Sequence, residues 1–233
     1  MKELFSKYQI DMTDFQEKQF QTYFELLIEW NQKLNLTTIV KYEEVIKKHF
    51  LDSCLLLSKY SKNLFQGKNI IDVGTGAGFP GIPLAIVLPD TKFVLMDSLK
   101  KRIDFLFHVI QKLQLENVEL IHGRAEDLGR EEKLREQFDF CVSRAVAELP
   151  VLMEYCSPFI KVNGGLLFYK SKKTYQEIEH SQNAFQELNC QLREDVLLTD
   201  EDEFERHMIY IEKTEPLSNK YPRKAGKAKK RPL

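Results

Sequence analysis

Asn69-Ile70-Ile71-Asp72-Val73-Gly74-Thr75-Gly76-Ala77-Gly78-Phe79-Pro80-Gly81 is an apolar run that ends in a glycine-rich turn. The turn opens a second apolar stretch, Ile82-Pro83-Leu84-Ala85-Ile86-Val87-Leu88. The pattern predicts a strand, a tight turn and the start of a helix. Glycine allows backbone conformations closed to other residues and lets main-chain N–H groups approach a ligand. A helix N-terminus adds partial positive charge at the same place. The stretch therefore predicts a ligand-binding turn, around which the remaining segments are placed.

Downstream, short β-prone runs alternate with helical stretches. Strands are expected at Asn69–Val73, Lys92–Met96, Val118–His122, Phe138–Ser143 and Leu166–Lys170. Between them, Leu99–Leu113 carries Phe105, Leu106, Val109, Ile110 and Leu113 on one helical face; Val151–Phe159 and Tyr175–Leu188 also read as helices. Alternation of this kind implies parallel pairing with helices on both faces. Gln191–Leu198 and His207–Glu212, joined by the acidic loop Thr199–Arg206, predict a terminal hairpin at the sheet edge. Upstream there is no strand pattern. Thr13 and Gln16 form a capping-box pair ahead of Phe20, Tyr23, Phe24, Leu27 and Ile28, which predicts an amphipathic helix to about Trp30. A break over Asn31–Ile39 precedes a helical region from Tyr42 to Tyr60 in two pieces. The expected organisation is an N-terminal helical cap (1–65), an α/β domain with a mostly parallel seven-stranded sheet (66–213) and a basic tail (214–233).

The glycine spacing bears on the ligand. A dinucleotide fingerprint is GxGxxG, whereas here Gly74, Gly76 and Gly78 give GxGxG and Phe79 takes the third glycine's place. Asp72, two residues before Gly74, would repel a pyrophosphate, but it can accept hydrogen bonds from the ammonium or hydroxyl groups of an amino-acid nucleoside. Asp97 follows the second strand, 21 residues after Gly76, where an acid can take ribose hydroxyls; it can also cap the next helix, with Ser98 as a rival cap. After the third strand, Ala125 and Glu126 can line an adenine pocket or start a solvated acidic helix. After the fourth, Ser143-Arg144-Ala145 lies where open α/β sheets bind ligands. The spacing favours S-adenosylmethionine over a dinucleotide.

Composition narrows the class. With 43% hydrophobic and 30% charged residues the chain is an ordinary globular protein. Cys54, Cys141, Cys156 and Cys190 form no CxxC pair, which fits reduced thiols, and no apolar stretch approaches the roughly 20 residues a membrane span needs. The start Met1-Lys2-Glu3-Leu4 has no basic region followed by an apolar run. A cytoplasmic protein is expected, and nothing requires more than a monomer. His49, His108, His122, His180 and His207 show no metal spacing, so no metal is expected. The net charge of −1 hides an asymmetry: residues 214–233 hold seven basic residues against one acid, a net of +6, leaving −7 on the rest. That tail is either an arm for a polyanion or a solubilising extension.

The acceptor is constrained by what is missing. The fourth strand is followed by Ser-Arg-Ala-Val rather than the DPPY or NPPY of exocyclic-amine methylation, and no cysteine stands in a Pro-Cys or Thr-Cys context suited to covalent pyrimidine methylation. What remains is an acceptor already nucleophilic, such as guanine N7, which has no proton to remove. No catalytic general base is then expected, only alignment within about 3–3.5 Å. A small-molecule or protein methyltransferase, and a non-catalytic RNA-binding assembly factor, stay open as alternatives.

Several stretches together resemble the bacterial 16S rRNA guanine-N7 methyltransferases, also called glucose-inhibited division protein B. They are Asn35-Leu36-Thr37-Thr38-Ile39, His49-Phe50-Leu51-Asp52-Ser53, Asp72 through Leu84, Asp97-Ser98-Leu99-Lys100-Lys101-Arg102, Arg124-Ala125-Glu126 and Ser143-Arg144-Ala145-Val146-Ala147. The resemblance implies a Rossmann-like class I methyltransferase fold with S-adenosylmethionine near Gly74, Phe79, Asp97, Ala125, Glu126 and Arg144, S-adenosylhomocysteine as product, and methylation of one guanine in the decoding-region loop of the small ribosomal subunit. Tyr221-Pro222-Arg223-Lys224-Ala225-Gly226 resembles the end of many members, although Lys227-Ala228-Lys229 departs from the Thr-Pro usual there. On this reading Lys47, Lys48, Arg144, Arg223 and Lys224 meet RNA phosphates, and Asn35, His49 and Arg144 are the candidates to grip the target base.

Overall fold

The computed structural model describes residues 1–171, 173–199 and 205–233. Seven strands form one sheet: β1 (Asn69–Val73), β2 (Lys92–Asp97), β3 (Val118–His122), β4 (Phe138–Arg144), β5 (Ile160–Lys170), β6 (Cys190–Thr199) and β7 (Arg206–Lys213), in the order β3-β2-β1-β4-β5-β7-β6. The pairs β2–β3, β1–β4 and β4–β5 are parallel, and β7 runs antiparallel to both β5 and β6. The expected α/β architecture, mostly parallel with a terminal hairpin, is what the chain adopts. The strand order reverses between β1 and β4, the position at which open α/β sheets bind ligands. The acidic loop expected between β6 and β7 lies, over residues 200–204, outside the described residues.

The chain divides into two compact units. The first is residues 1–67 with 75–122. Its long helix, Asp14–Leu34, starts at the expected capping box, with Gln16 N–H on the Thr13 hydroxyl and Thr13 N–H on the Gln16 side chain. It runs past Trp30 and stops where Asn35 turns left-handed (φ 49°) and donates its N–H to Asn31 O. Phe20, Tyr23 and Leu27 are its buried face. The region from Tyr42 is not two α-helices: a widened π-helical turn, Ile46–Leu51, separates Tyr42–Val45 from two short helical turns ending at Lys59. Such turns recur at functional positions and leave no mark on hydrophobic period. The helix Lys100–Leu113 buries Ile103, Phe105, Leu106, Val109 and Leu113.

The second unit is residues 68–74 with 123–233. β5 begins six residues before the expected Leu166, because Gly164 and Gly165 continue the strand where a side chain has no room. A Cβ on Gly165 would lie 2.6 Å from Tyr210 Cε2 and 2.8 Å from Phe140 Cδ1. The expected helix Tyr175–Leu188 is broken into Thr174–His180 and Gln182–Glu187. Between them Ser181 donates its hydroxyl to Glu177 O at 2.6 Å, a back-bond that bends helices. The basic tail is packed against its own unit, with Leu217, Tyr221 and Ala228 buried. Arg135 donates to Leu217 O and Tyr221 O, both at 2.9 Å.

All four cysteines are buried. Burial pushes the Cys190 thiol up to about 12 and raises Cys141 as well, so neither supplies thiolate near neutral pH. With the folded protein at pH 8, a disulfide-exchange thiol reagent should leave Cys141 and Cys190 unmodified, and denaturant should release all four; rapid native labelling of either refutes this packing. Gly78 (φ +100°) is a second test, since a Cβ there would meet Tyr23 Oη, Ile82 and Leu106 at 2.6–2.8 Å. Gly78→Ala should cost about 3 kcal/mol from backbone strain and overpacking. The melting temperature should fall by about 6–12 °C.

Candidate functional site

In the first unit the glycine turn is held by its own backbone and one carboxylate. Thr75 N–H donates to Met96 O at 3.0 Å, and Gly78 and Phe79 N–H groups both reach Thr75 O at 2.9 Å. Gly76 (φ 63°) donates its N–H to Asp97 Oδ2 at 2.9 Å, while Asp97 Oδ1 accepts Leu99 N–H at 2.9 Å and Arg102 Nη1 lies 3.1 Å from Oδ2. Asp97 is only 3% exposed. It joins the turn after β1 to the end of β2 and takes an N–H just ahead of the following helix; Ser98, the rival cap, is exposed and caps nothing with its side chain.

The same turn is gripped by the helical cap. The Tyr23 hydroxyl donates to Ala77 O inside the core. Phe79 packs against Tyr23 (5.6 Å between ring centroids), Phe50 (6.1 Å) and the stacked ring of His49 (4.5 Å). His49 shares a 2.8 Å hydrogen bond between Nε2 and the Thr37 hydroxyl. Thr37 N–H is bonded to Asn31 Oδ1 at 2.8 Å, which fixes the loop carrying exposed Asn35. The structure thus brings His49, the Asn35 loop and Phe79 into one cluster. Tyr23 was expected only as an apolar-face residue, since nothing in its spacing marks the use of its hydroxyl.

The second unit carries the remaining predicted residues. Asp72 is 0% exposed on β1, paired in register with Val142 of β4. Gly74 (φ +75°) sits beneath Val146, whose Cγ2 would be 2.7 Å from a Cβ there. The Ser143 hydroxyl donates to Val73 O at 2.8 Å, tying the ends of β4 and β1 together. Half-buried Arg144 leads into Ala145, which is left-handed at φ 57°. Lys170 at the end of β5 donates Nζ to Ala147 O (2.9 Å) and Glu177 Oε2 (2.6 Å), and that oxygen also takes Leu149 N–H at 2.7 Å. This Lys170–Glu177 latch was not anticipated; its members are ordinary surface residue types in sequence.

Ala125 and Glu126 begin a four-residue helix, and Glu126 is 7% exposed, not solvated. Its Oε1 accepts Gly226 N–H at 3.0 Å, and Tyr155, raised by burial and then by the Glu126 charge, is hydrogen-bonded to it. Arg223 lies elsewhere: its Nε is 2.9 Å from both oxygens of Glu154, and its N–H reaches Oε1 at 2.8 Å. That guanidinium is committed internally, whereas Lys224 is exposed.

Asp72, Asp97 and Glu126 are therefore buried carboxylates at, or just beyond, the carboxyl ends of β1, β2 and β3. Each of them, taken by itself, is an acceptor suited to ammonium or hydroxyl donors and opposed to a phosphate. Among the described residues no group of three or more His, Cys, Asp or Glu side chains is placed to hold a metal ion, and no helix is long and apolar enough to cross a membrane.

The model of the family described as rRNA small subunit methyltransferase G matches residues 16–209. Proteins of that name from Lachnoclostridium phytofermentans and Lactococcus lactis are 47% and 44% identical, over 96% and 98% of this chain and 92% and 95% of theirs. Among solved structures, an S-adenosylmethionine-dependent methyltransferase from Aquifex aeolicus aligns with a TM-score of 0.57 at 17% identity, over 75% of this chain and 94% of that one. An Aeropyrum pernix fibrillarin with bound S-adenosyl-L-methionine aligns at 0.53 and 17% identity, over 69% and 73%. These two share the fold. On the match over most of its length, the chain belongs to the rRNA small subunit methyltransferase G family.

Proposed function

We propose that the protein transfers a methyl group from S-adenosylmethionine to N7 of one guanine in the decoding-region loop of 16S rRNA. The observation that carries the reading is the cluster at Phe79. There Phe79, in the turn read as the methyl-donor site, stacks on His49, whose ring is hydrogen-bonded to Thr37 in the loop of Asn35, the segment read as meeting the acceptor. The chain works as a helical cap (1–65), a methyltransferase domain (66–213) and a basic tail (214–233).

S-adenosylmethionine supplies an electrophilic methyl on a sulfonium. Asp72 and Asp97 provide acceptors for its ammonium and hydroxyl groups, Gly74, Gly76 and Gly78 give the turn its shape, and Phe79 and Ser98 border it. Ala125 N–H and Glu126 serve the adenine side, and Arg144 stands at the end of β4. Attack by the guanine N7 lone pair would form the N–C bond as the C–S bond breaks, leaving S-adenosylhomocysteine as a neutral thioether and the positive charge on the methylated base. These residues would then have no proton to remove. The residues here therefore orient the extruded base: Asn35 and His49 beside its edge or face, Arg144 and the exposed Lys224, Lys227, Lys229 and Lys230 on phosphates. Lys47 and Lys48 meet phosphates as well. Arg223 contributes through Glu154 rather than directly.

Three outcomes test this. Asp97→Asn removes the charge while keeping an acceptor, and should weaken S-adenosylhomocysteine binding about 10- to 100-fold in calorimetry; unchanged affinity would place the nucleoside elsewhere. At saturating substrates kcat should be flat over about pH 6.5–8.5, the range where a histidine base would titrate; a unit-slope acid limb contradicts base-free transfer. Replacing Lys224, Lys227, Lys229 and Lys230 by Gln should flatten the log–log salt dependence of RNA affinity by about 0.7–0.9 per lost phosphate contact, and an unchanged slope removes the tail from the RNA interface.

A further inference from the structure

The helix Ala125–Leu128 that carries the adenine-side residues has only four residues. A helix this short has no stability of its own and takes its geometry from its neighbours. Those neighbours are the helix Leu149–Cys156, Pro158 and the C-terminal segment, which touches both of its ends. At one end, Pro222 packs on Gly129, where a Cβ would sit 3.2 Å from Pro222 Cγ. At the other, Gly226 N–H donates to Glu126 Oε1 at 3.0 Å. Arg135 spans both partners, with Nη1 on Gly129 O at 3.1 Å and on Tyr221 O at 2.9 Å. Arg130 also donates to Pro222 O.

The segment is itself anchored by a buried charge pair. Glu154 is 0% exposed and receives three hydrogen bonds of 2.8–2.9 Å from the Arg223 main chain and Nε. Its Nη2 donates to the same carboxylate. Bidentate pairing of this kind fixes orientation as well as adding energy. The Tyr221 hydroxyl bonds Glu187 at 2.7 Å, and Ala228 is fully buried beneath Lys227, Lys229 and Lys230, whose side chains point outward. Gly226 stands at φ +78°, the left-handed geometry that aims its N–H at Glu126. A tail serving only as a tether for polyanions would need none of these internal contacts.

We propose that Tyr221–Lys230 is a strap belonging to the cofactor site, with Arg223 and Gly226 as positioning residues that hold Glu126 and the Ala125 turn in their ligand-binding geometry. The inference rests on the reading of Ala125 and Glu126 as the adenine-side residues. Docking of the strap and binding of the nucleoside then stabilise one another, by the reciprocity that governs coupled sites.

The test uses full-length protein without RNA and titrates S-adenosylhomocysteine into three variants. Arg223→Ala removes the anchor. Gly226→Val has open space for its side chain but disfavours positive φ, so it turns the N–H away from Glu126 and leaves the Glu154 pair intact. Asp97→Asn controls for the site itself. The expected result is a Kd raised about 5-fold or more in both strap variants, the lower end of usual coupling. In the unmodified chain, S-adenosylhomocysteine should also slow amide exchange over residues 221–228, which a merely structural tail would not show. If Asp97→Asn weakens binding while both strap variants bind normally and exchange is unaltered, the strap proposal is overturned and the cofactor site stands. If Asp97→Asn also binds normally, the cofactor reading itself fails. Should Arg223→Ala melt below the working temperature, Gly226→Val decides.

Discussion

The buried hydrogen bond from the Tyr23 hydroxyl to Ala77 O fastens the helical cap to the glycine turn, and much of the first unit follows from it. Tyr23 must approach so closely that position 78 has no room for a Cβ. The ring beside it then stacks on Phe50 at 5.1 Å and reaches Phe79. Phe79 in turn carries His49 on its other contact. A glycine usually assigned to ligand clearance is here required by packing of the cap. The turn is also held by a different contact, the Asp97 carboxylate on Gly76 N–H.

Acids held by internal partners recur through the second unit and divide by role. Glu154 is matched by Arg223, and Glu136 by Lys213 Nζ and Leu217 N–H. These pairs fix the C-terminal segment, and removing one partner would strand a charge away from water. Glu126 is different, because its partners are a main-chain N–H and a tyrosine hydroxyl, neither of which neutralises it. The tail's charge is likewise divided: Arg223 faces inward to Glu154, Lys220 pairs with Glu187 at the surface, and Lys224, Lys227, Lys229 and Lys230 are exposed.

Local signals made most of the architecture legible. β1 and β3 have the expected bounds because turn residues flank short apolar runs, and the Thr13–Gln16 capping box is an interaction within one turn. Signals failed where the cause is distant in sequence. Gly165 extends β5 because Tyr210 and Phe140 press on it. The π-helical turn that presents His49 and Phe50 keeps an apolar pattern close to that of an α-helix. The Arg223–Glu154 pair joins residues 69 apart, so a tail read from composition alone offered two fates, and packing against its own unit was neither. Of the candidate residues, the positions of Asp72, Asp97 and Arg144 at strand ends were legible in the sequence. The Lys170–Glu177 latch and the Gly226 contact exist only once the strands are paired.

Methyl transfer to one guanine N7 leaves a product that can be read directly. Small ribosomal subunits from a strain lacking this family's enzyme would be incubated with the purified protein and methyl-labelled S-adenosylmethionine. The rRNA would then be cleaved chemically at 7-methylguanine. The account predicts label at a single guanine of the decoding-region loop, released with that cleavage. Label on another atom, on protein or on no RNA would contradict it.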